Sequence, residues 1–246
     1  MILIIMFVTP ENMGWGNVTM CLTDYVYQNN SNVTIYKPTF TDAVQFKVPV
    51  NFVDTIQGPV YTPRIVINSY FIEQVHSKMS DIFEPSSKVQ ELIEKYNHLV
   101  EGCVAGMHIR RGAFSEDSSK MGCHGVNKPA YFANDKALQD FKNILKNQSG
   151  KFFVASDSPS VKKELVEEFG HKVCIIGIDP VLSYDCKFNH DAPQGDKRIS
   201  YLEWFLLSMC PFLIITGGNN DMTDFSTFGY SAACYGRKPF YLIKNE

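Results

Sequence analysis

The sequence predicts an α/β protein with mostly parallel sheets, and three observations carry that prediction. Short apolar runs end in a Gly or polar turn and pass into amphipathic segments throughout the chain, the pattern of strands alternating with helices. With 246 residues, 45% of them hydrophobic and 13% aromatic, the chain is long enough and apolar enough to bury a substantial core. The units fall into two series, about residues 1–100 and 101–246, with no long linker and no internal repeat between them.

The first series opens on Ile2 to Val8, expected as a buried strand. It lacks a basic flank and a cleavage site and is far shorter than the roughly 20 apolar residues that span a bilayer. A loop with Gly14 and Gly16 leads to a helix from about Asn17 to Tyr27, and a second strand includes Val33 to Tyr36. Pro38 to Pro63 carries four prolines and no helical period, so strands, turns and loops are expected there. Ser86 or Ser87 followed by Val89, Leu92, Ile93 and Tyr96 has the cap and spacing of a helix with one buried face.

The second series begins with Cys103 to Ile109 as a strand, a polar loop to Pro129 and a helix from about Tyr131 to Lys146. Lys151 to Ser156 is a strand, Ser160 to Phe169 a helix and Val173 to Ile178 a strand. A polar loop to Arg198 precedes a helix at Ile199 to Ser208, then a strand at Phe212 to Thr216, a helix from Thr227 to Tyr235 and a last strand at Pro239 to Ile243.

Charge narrows the partners. The formal charge is −3, from 23 basic and 26 acidic residues, and no basic stripe is present to neutralise a run of phosphates, which argues against nucleic acid. A small anion needs only a local pocket. The seven cysteines form no CxxC pair and read as buried thiols of a reducing compartment. The sequons at Asn17, Asn32 and Asn147 carry no weight without a secretion signal.

Four segments carry chemistry. Met107-His108-Ile109-Arg110-Arg111-Gly112 stands at the carboxyl end of an apolar strand, where α/β sheets bind ligands. Arginine stays ionised and offers phosphate a planar fork of donors. Asp224 to Ala233 opens a helix of small residues in which Ser226 or Thr227 is a candidate cap, and helix N-termini hold anions. Gly14-Trp15-Gly16-Asn17 allows close backbone approach, with Asn17 as a candidate cap. Asp157, after the strand ending at Ser156, suits a base or ribose as an acceptor, and Asp-Ser-Pro is also an ordinary helix start. No metal is expected: His76, His98, His171, His190 and Cys123-His124 show no ligand spacing, and no Asp-x-Asp ends a strand.

His108-Ile109-Arg110-Arg111-Gly112 after one strand, Asp157-Ser158-Pro159 after the next, and Ser226-Thr227-Phe228-Gly229 opening a late helix together resemble the fucosyltransferase superfamily. Its galactoside 2-fucosyltransferases look most similar: His108 to Gly112 resembles their His-Val-Arg-Arg-Gly, and Thr227-Phe228-Gly229 with Ala232-Ala233 their Thr-Phe-Gly-x-Trp-Ala-Ala. Gly14 to Asn17 resembles their Gly-Leu-Gly-Asn, and Tyr70-Phe71 with Phe83 to Ser86 is similar to the approach to the arginine motif in bacterial members. Core 6-fucosyltransferases and protein O-fucosyltransferases share the general pattern.

The resemblance implies a GT-B arrangement of two Rossmann-like halves around a cleft. Residues 1–100 would form a reduced acceptor-side half and 101–246 the nucleotide-sugar half. It further implies GDP-fucose as donor, a glycan acceptor, inversion at the sugar carbon and no cofactor or metal. By position, Arg110 or Arg111 would hold the β-phosphate beside Ser226, Thr227 and Phe228. His108 and Asp157 would border the nucleotide, and Glu203 would lie near guanine or ribose or point to solvent. Glu116 and Asp117 fall where the core 6-fucosyltransferases keep a glutamate, as candidate general bases; the alternative for both is a solvated acidic loop. Ala113-Phe114 stands where many 2-fucosyltransferases have Asp-Tyr. The rival expectations are another nucleotide-sugar donor, or a binding protein that has lost catalysis. Without a span or signal, a cytosolic enzyme of bacterial or viral type is expected.

Overall fold

The computed structural model describes residues 6–8, 15–29, 33–36, 43–55, 60–61, 75–111, 132–176, 198–219 and 225–245. In chain order the elements are β1 (Met6–Val8), α1 (Trp15–Asn29), β2 (Val33–Tyr36), β3 (Val44–Phe46), β4 (Val50–Val53), β5 (Val60–Tyr61) and a 3-10 turn at His76–Lys78. There follow α2 (Met79–Ile82), β6 (Phe83–Pro85), α3 (Ser87–Tyr96), β7 (Cys103–Ile109), α4 (Asp135–Asn147) and β8 (Lys151–Ser156). The chain ends through α5 (Pro159–Phe169), β9 (Val173–Cys174), α6 (Arg198–Met209), β10 (Leu213–Gly218), α7 (Thr227–Gly236) and β11 (Phe240–Lys244).

Among the described residues the strands form two parallel sheets and a small ribbon. One sheet has the order β4-β2-β1-β5 and the other β11-β10-β7-β8-β9, and each neighbouring pair in both is parallel. β3 and β6 pair antiparallel. The protein is therefore α/β, as expected from the alternating pattern. β7 sits at the centre of the larger sheet with apolar layers on both faces. Met107, Ile109, Phe141, Leu145, Val154 and Leu165 pack on one side. On the other, Phe153, Leu202, Phe205 and Ile215 join a cluster that reaches Phe7, Trp15 and Tyr25 beside the smaller sheet. Burial on both faces is why these strands read as unbroken apolar runs.

Aromatic rings join the helices and the ribbon that lie between the two sheets. Trp204 meets Trp15 edge-on with centroids 5.7 Å apart, and Phe83 stacks on Tyr235 at 5.6 Å. Such pairs add to the transfer free energy of the buried area.

Helix starts follow local chemistry. Ser86, Asn134 and Ser158 each accept a hydrogen bond from an N–H three residues on, at 3.3, 2.9 and 3.3 Å, capping α3, α4 and α5. Three expectations are corrected. α4 begins at Asp135 rather than Tyr131, because Phe132 and Asn134 are drawn to Asn245: its Nδ2 donates to Phe132 O at 2.7 Å, and its Oδ1 accepts from Asn134 N at 2.9 Å. α1 begins at Trp15, so Asn17 lies inside its first turn instead of capping it. The strand expected to reach Ile178 is β9, Val173–Cys174; residues 177 and 178 lie outside the described residues. Cys21, Cys103, Cys174, Cys210 and Cys234 are free thiols.

Candidate ligand site

The carboxyl end of β7 is fixed from four directions. The Arg110 N–H donates to Thr216 Oγ1 at 3.0 Å, and that hydroxyl donates to His108 O at 3.2 Å. The Arg111 N–H donates to Asp157 Oδ1 at 2.6 Å. Ser156 Oγ donates to Ile109 O at 2.6 Å, and Ala133 N to Arg110 O at 2.7 Å. The end of β7 is thus held by β10, by β8 with Asp157 just after it, and by the approach to α4, which pair the N–H groups of Arg110 and Arg111 and the carbonyls of His108, Ile109 and Arg110.

The two arginines part company. Arg111 is buried; its Nη1 donates to Ala133 O at 2.7 Å and its Nη2 to the Asp135 carboxylate, bracing the start of α4. Arg110 is only partly buried and lays its guanidinium over the Phe132 ring, 4.8 Å from the centroid. The two neighbours in sequence thus serve different surroundings.

The N-terminus of α7 meets this strand end. Ser226 N donates to Thr216 O at 2.9 Å, and Ser226 Oγ lies 2.8 Å from His108 Nδ1. Ser226 occupies the N-cap position but makes no side-chain cap hydrogen bond, a correction to its expected capping role: its hydroxyl is engaged by the histidine. Phe228 stacks on the His108 ring with centroids 4.8 Å apart. His108 is buried, and burial first, then the charges of Arg110 and Lys162, push its pKa down to about 3. It is a neutral ring at neutral pH.

Two glycines permit this packing. A Cβ on Gly16 would lie 2.4 Å from Thr227 C and 2.5 Å from Phe228 N, so α1 touches the backbone of the first turn of α7. A Cβ on Gly229 would fall 2.8 Å from Ile215 Cγ2 and 3.0 Å from His108 Cβ. Gly16, His108, Arg110, Ser226, Thr227 and Phe228 therefore converge from distant parts of the chain. Next to Gly16, Asn17 Oδ1 is buried without a hydrogen-bond partner among the described residues.

Asp157 belongs to the same edge through its bond to Arg111 N, whereas Glu203 does not face solvent. It is buried on α6 and paired with Lys162 of α5, which also donates to Ile176 O at 3.2 Å. Burial raises the Glu203 pKa, Lys162 opposes that, and the nearby charge of Asp157 adds to it.

Lys162, Thr216, Phe132 and Asp135 were not singled out in the sequence. Only Thr216, a polar residue closing an apolar strand, carried a local signal. Gly14, Glu116 and Asp117 lie outside the described residues. Among the described residues no group of three or more His, Cys, Asp or Glu is set to hold a metal ion, and no helix is long and apolar enough to cross a membrane.

The fold is α/β, and His108, Arg110 and the start of α7 lie together at the carboxyl end of its central parallel strand. No family model matches the chain, and no curated protein matches it. Among solved structures, the fucosyltransferase NodZ from Bradyrhizobium shares the fold at a TM-score of 0.50 and 15% identity, over 92% of this chain and 91% of that chain. POFUT1 in complex with GDP does so at a TM-score of 0.52 and 11% identity, over 97% of each chain. At these identities the fold is what is shared.

Proposed function

We propose that this protein is a glycosyltransferase that moves L-fucose from GDP-fucose to a glycan hydroxyl. The observation that carries the reading is the neutral His108 ring, held against Ser226 and Phe228 at the start of α7, with Arg110 two residues further along the same strand end and its guanidinium over Phe132. The likeness of fold to NodZ and POFUT1 supports it.

In this reading the donor's diphosphate lies between the Arg110 guanidinium and the opening N–H groups of α7. Those N–H groups have no intrahelical acceptor, and the helix dipole favours an anion there. As the glycosidic bond breaks, negative charge builds on the departing diphosphate. Fixed positive charge at that place lowers the barrier. The acceptor hydroxyl attacks the anomeric carbon from the opposite face, which inverts it, and the reading assigns no step to a metal.

Arg111 acts at one remove, keeping the turn and the start of α4 in place so that Arg110 is aimed. Phe228 and His108 form a floor, Asn17 stands beside Gly16 where α1 approaches α7, and Asp157 borders the nucleotide. Glu203, paired with Lys162, shapes that border from beneath. Glu116 and Asp117 are the candidate bases for the acceptor. The proposal includes the GT-B arrangement, with about residues 1–100 on the acceptor side and 101–246 on the donor side.

A thermal-shift panel of GDP-fucose, GDP, GDP-mannose, UDP and UDP-glucose tests the donor, because a ligand that binds only the folded state stabilises it by mass action. A shift confined to the guanine nucleotides and largest with GDP-fucose is the expected result. A larger shift with a uridine nucleotide would replace the donor, and transfer to no glycan acceptor despite GDP-fucose binding would favour a binding protein.

A further inference from the structure

Helix α7 is gripped a second time, through Tyr230. Asp24 of α1, His76 of the 3-10 turn and Tyr230 of α7 are each at most 1% exposed. His76 Nδ1 lies 3.1 Å from Tyr230 Oη, and His76 Nε2 lies 3.1 Å from Asp24 Oδ1. One tautomer of the ring suits both contacts, with Nε2–H facing the carboxylate and Nδ1 facing the tyrosine hydroxyl, which also meets Cys234. The network continues toward the site. The Tyr230 N–H donates to Ser226 O at 3.0 Å, and Ser226 Oγ meets His108 Nδ1 at 2.8 Å.

Stability alone is a poor reason to bury these groups. Asp24 Oδ2 is buried with no hydrogen-bond partner among the described residues, and a carboxylate in the core costs more than its pairing returns unless every oxygen is satisfied. What such a network supplies is geometry. It joins three separate segments at one point, one turn along α7 from the N-terminus that Gly16 also touches.

We propose that His76 is a positioning residue which, through Tyr230, fixes the first turn of α7 and so holds the donor site in its binding geometry. This rests on the reading of that turn as the diphosphate site.

The test combines hydrogen exchange with GDP titration on Tyr230→Phe, His76→Gln and His76→Asn. Tyr230→Phe removes the hydroxyl, and His76→Gln keeps an amide at the place of Nε2 but loses the tyrosine contact. Each should speed exchange of the amides of residues 226–233 about tenfold and weaken GDP about tenfold, the scale of one buried polar group left without its partner. Exchange across 151–156 should not change. His76→Asn, which keeps an amide at the place of Nδ1, should restore both readouts toward wild type.

Unchanged exchange at 226–233 in Tyr230→Phe overturns the proposal. So does equal loss of protection at 151–156 and 226–233 in all three variants, which would mark the network as ordinary core. Faster exchange with unaltered GDP affinity breaks the link to the site. A wild-type protein that binds no GDP removes the site reading and that link together, while the exchange data still decide whether the network holds α7.

Discussion

The hydroxyl of Ser226 lies 2.8 Å from Nδ1 of His108, joining the end of β7 to the start of α7 across 118 residues of sequence. That contact explains why a serine in the N-cap position leaves the cap unmade, and it gives the buried imidazole a polar partner. It also makes His108 a reporter of the site's integrity.

Ser226→Ala should leave His108 Nδ1 buried without a partner and destabilise the protein by about 1–3 kcal/mol, measured as a lower urea midpoint at pH 7.5.

His108 also predicts a pH dependence. Its folded pKa of about 3 lies below its ordinary value of 6.5, so between those values the unfolded chain binds a proton that the fold refuses. Its stabilising contribution is complete above about pH 6.5 and is lost as pH falls toward 3. Urea midpoints from pH 7.5 to 4.5 should fall less steeply in His108→Gln than in wild type; parallel slopes would show that the histidine protonates freely in the fold.

Gly16→Ala should destabilise, although alanine is ordinarily the better helix former by about 1 kcal/mol. The added methyl meets the Thr227 backbone at 2.4 Å, and overpacking of this kind costs about 1–3 kcal/mol. A lower Tm together with weaker GDP binding is expected, and a raised Tm would mean that α1 and α7 do not touch there.

Lys162→Met should be severe, because it strands the Glu203 carboxylate in a buried setting where the two side chains are 10% and 4% exposed. Breaking one side of such a pair costs about 3–5 kcal/mol, whereas replacing both sides is often neutral. The double variant Lys162→Met/Glu203→Leu should therefore recover most of the lost stability, and a simple sum of the single effects would rule the pairing out.

The parts of this fold that were legible are those set by local pattern. Cys103–Ile109 and Lys151–Ser156 are read to the residue because each apolar run is closed by a charged or polar turn. α4 was misplaced because Tyr131 and Phe132 mimic the first apolar turn of a helix, while the contacts to Asn245 that draw Phe132 and Asn134 away lie 113 and 111 residues distant. The convergence of His108, Arg110 and Ser226 followed from the rule that parallel sheets bring their carboxyl ends together. The division of labour between Arg110 and Arg111 did not, since adjacency cannot say which side chain meets Asp135. Lys162 with Glu203, and His76 with Asp24 and Tyr230, were illegible for the same reason: each residue sits in an unremarkable segment and gains its meaning from a partner far along the chain.

Arg111→Ala should act on stability first. It leaves Ala133 O without its 2.7 Å donor and empties a buried volume, for a loss of about 2 kcal/mol, visible as a lower Tm before any ligand is added.

The central claim is tested most directly by calorimetric titration of wild type and Arg110→Ala with GDP, with UDP as control. The account predicts GDP binding on the order of micromolar Kd in wild type, much weaker UDP binding, and at least about tenfold loss of GDP affinity in an Arg110→Ala protein of unchanged Tm. A wild-type protein that binds neither nucleotide, or an Arg110→Ala variant that binds GDP as tightly as wild type, would contradict it.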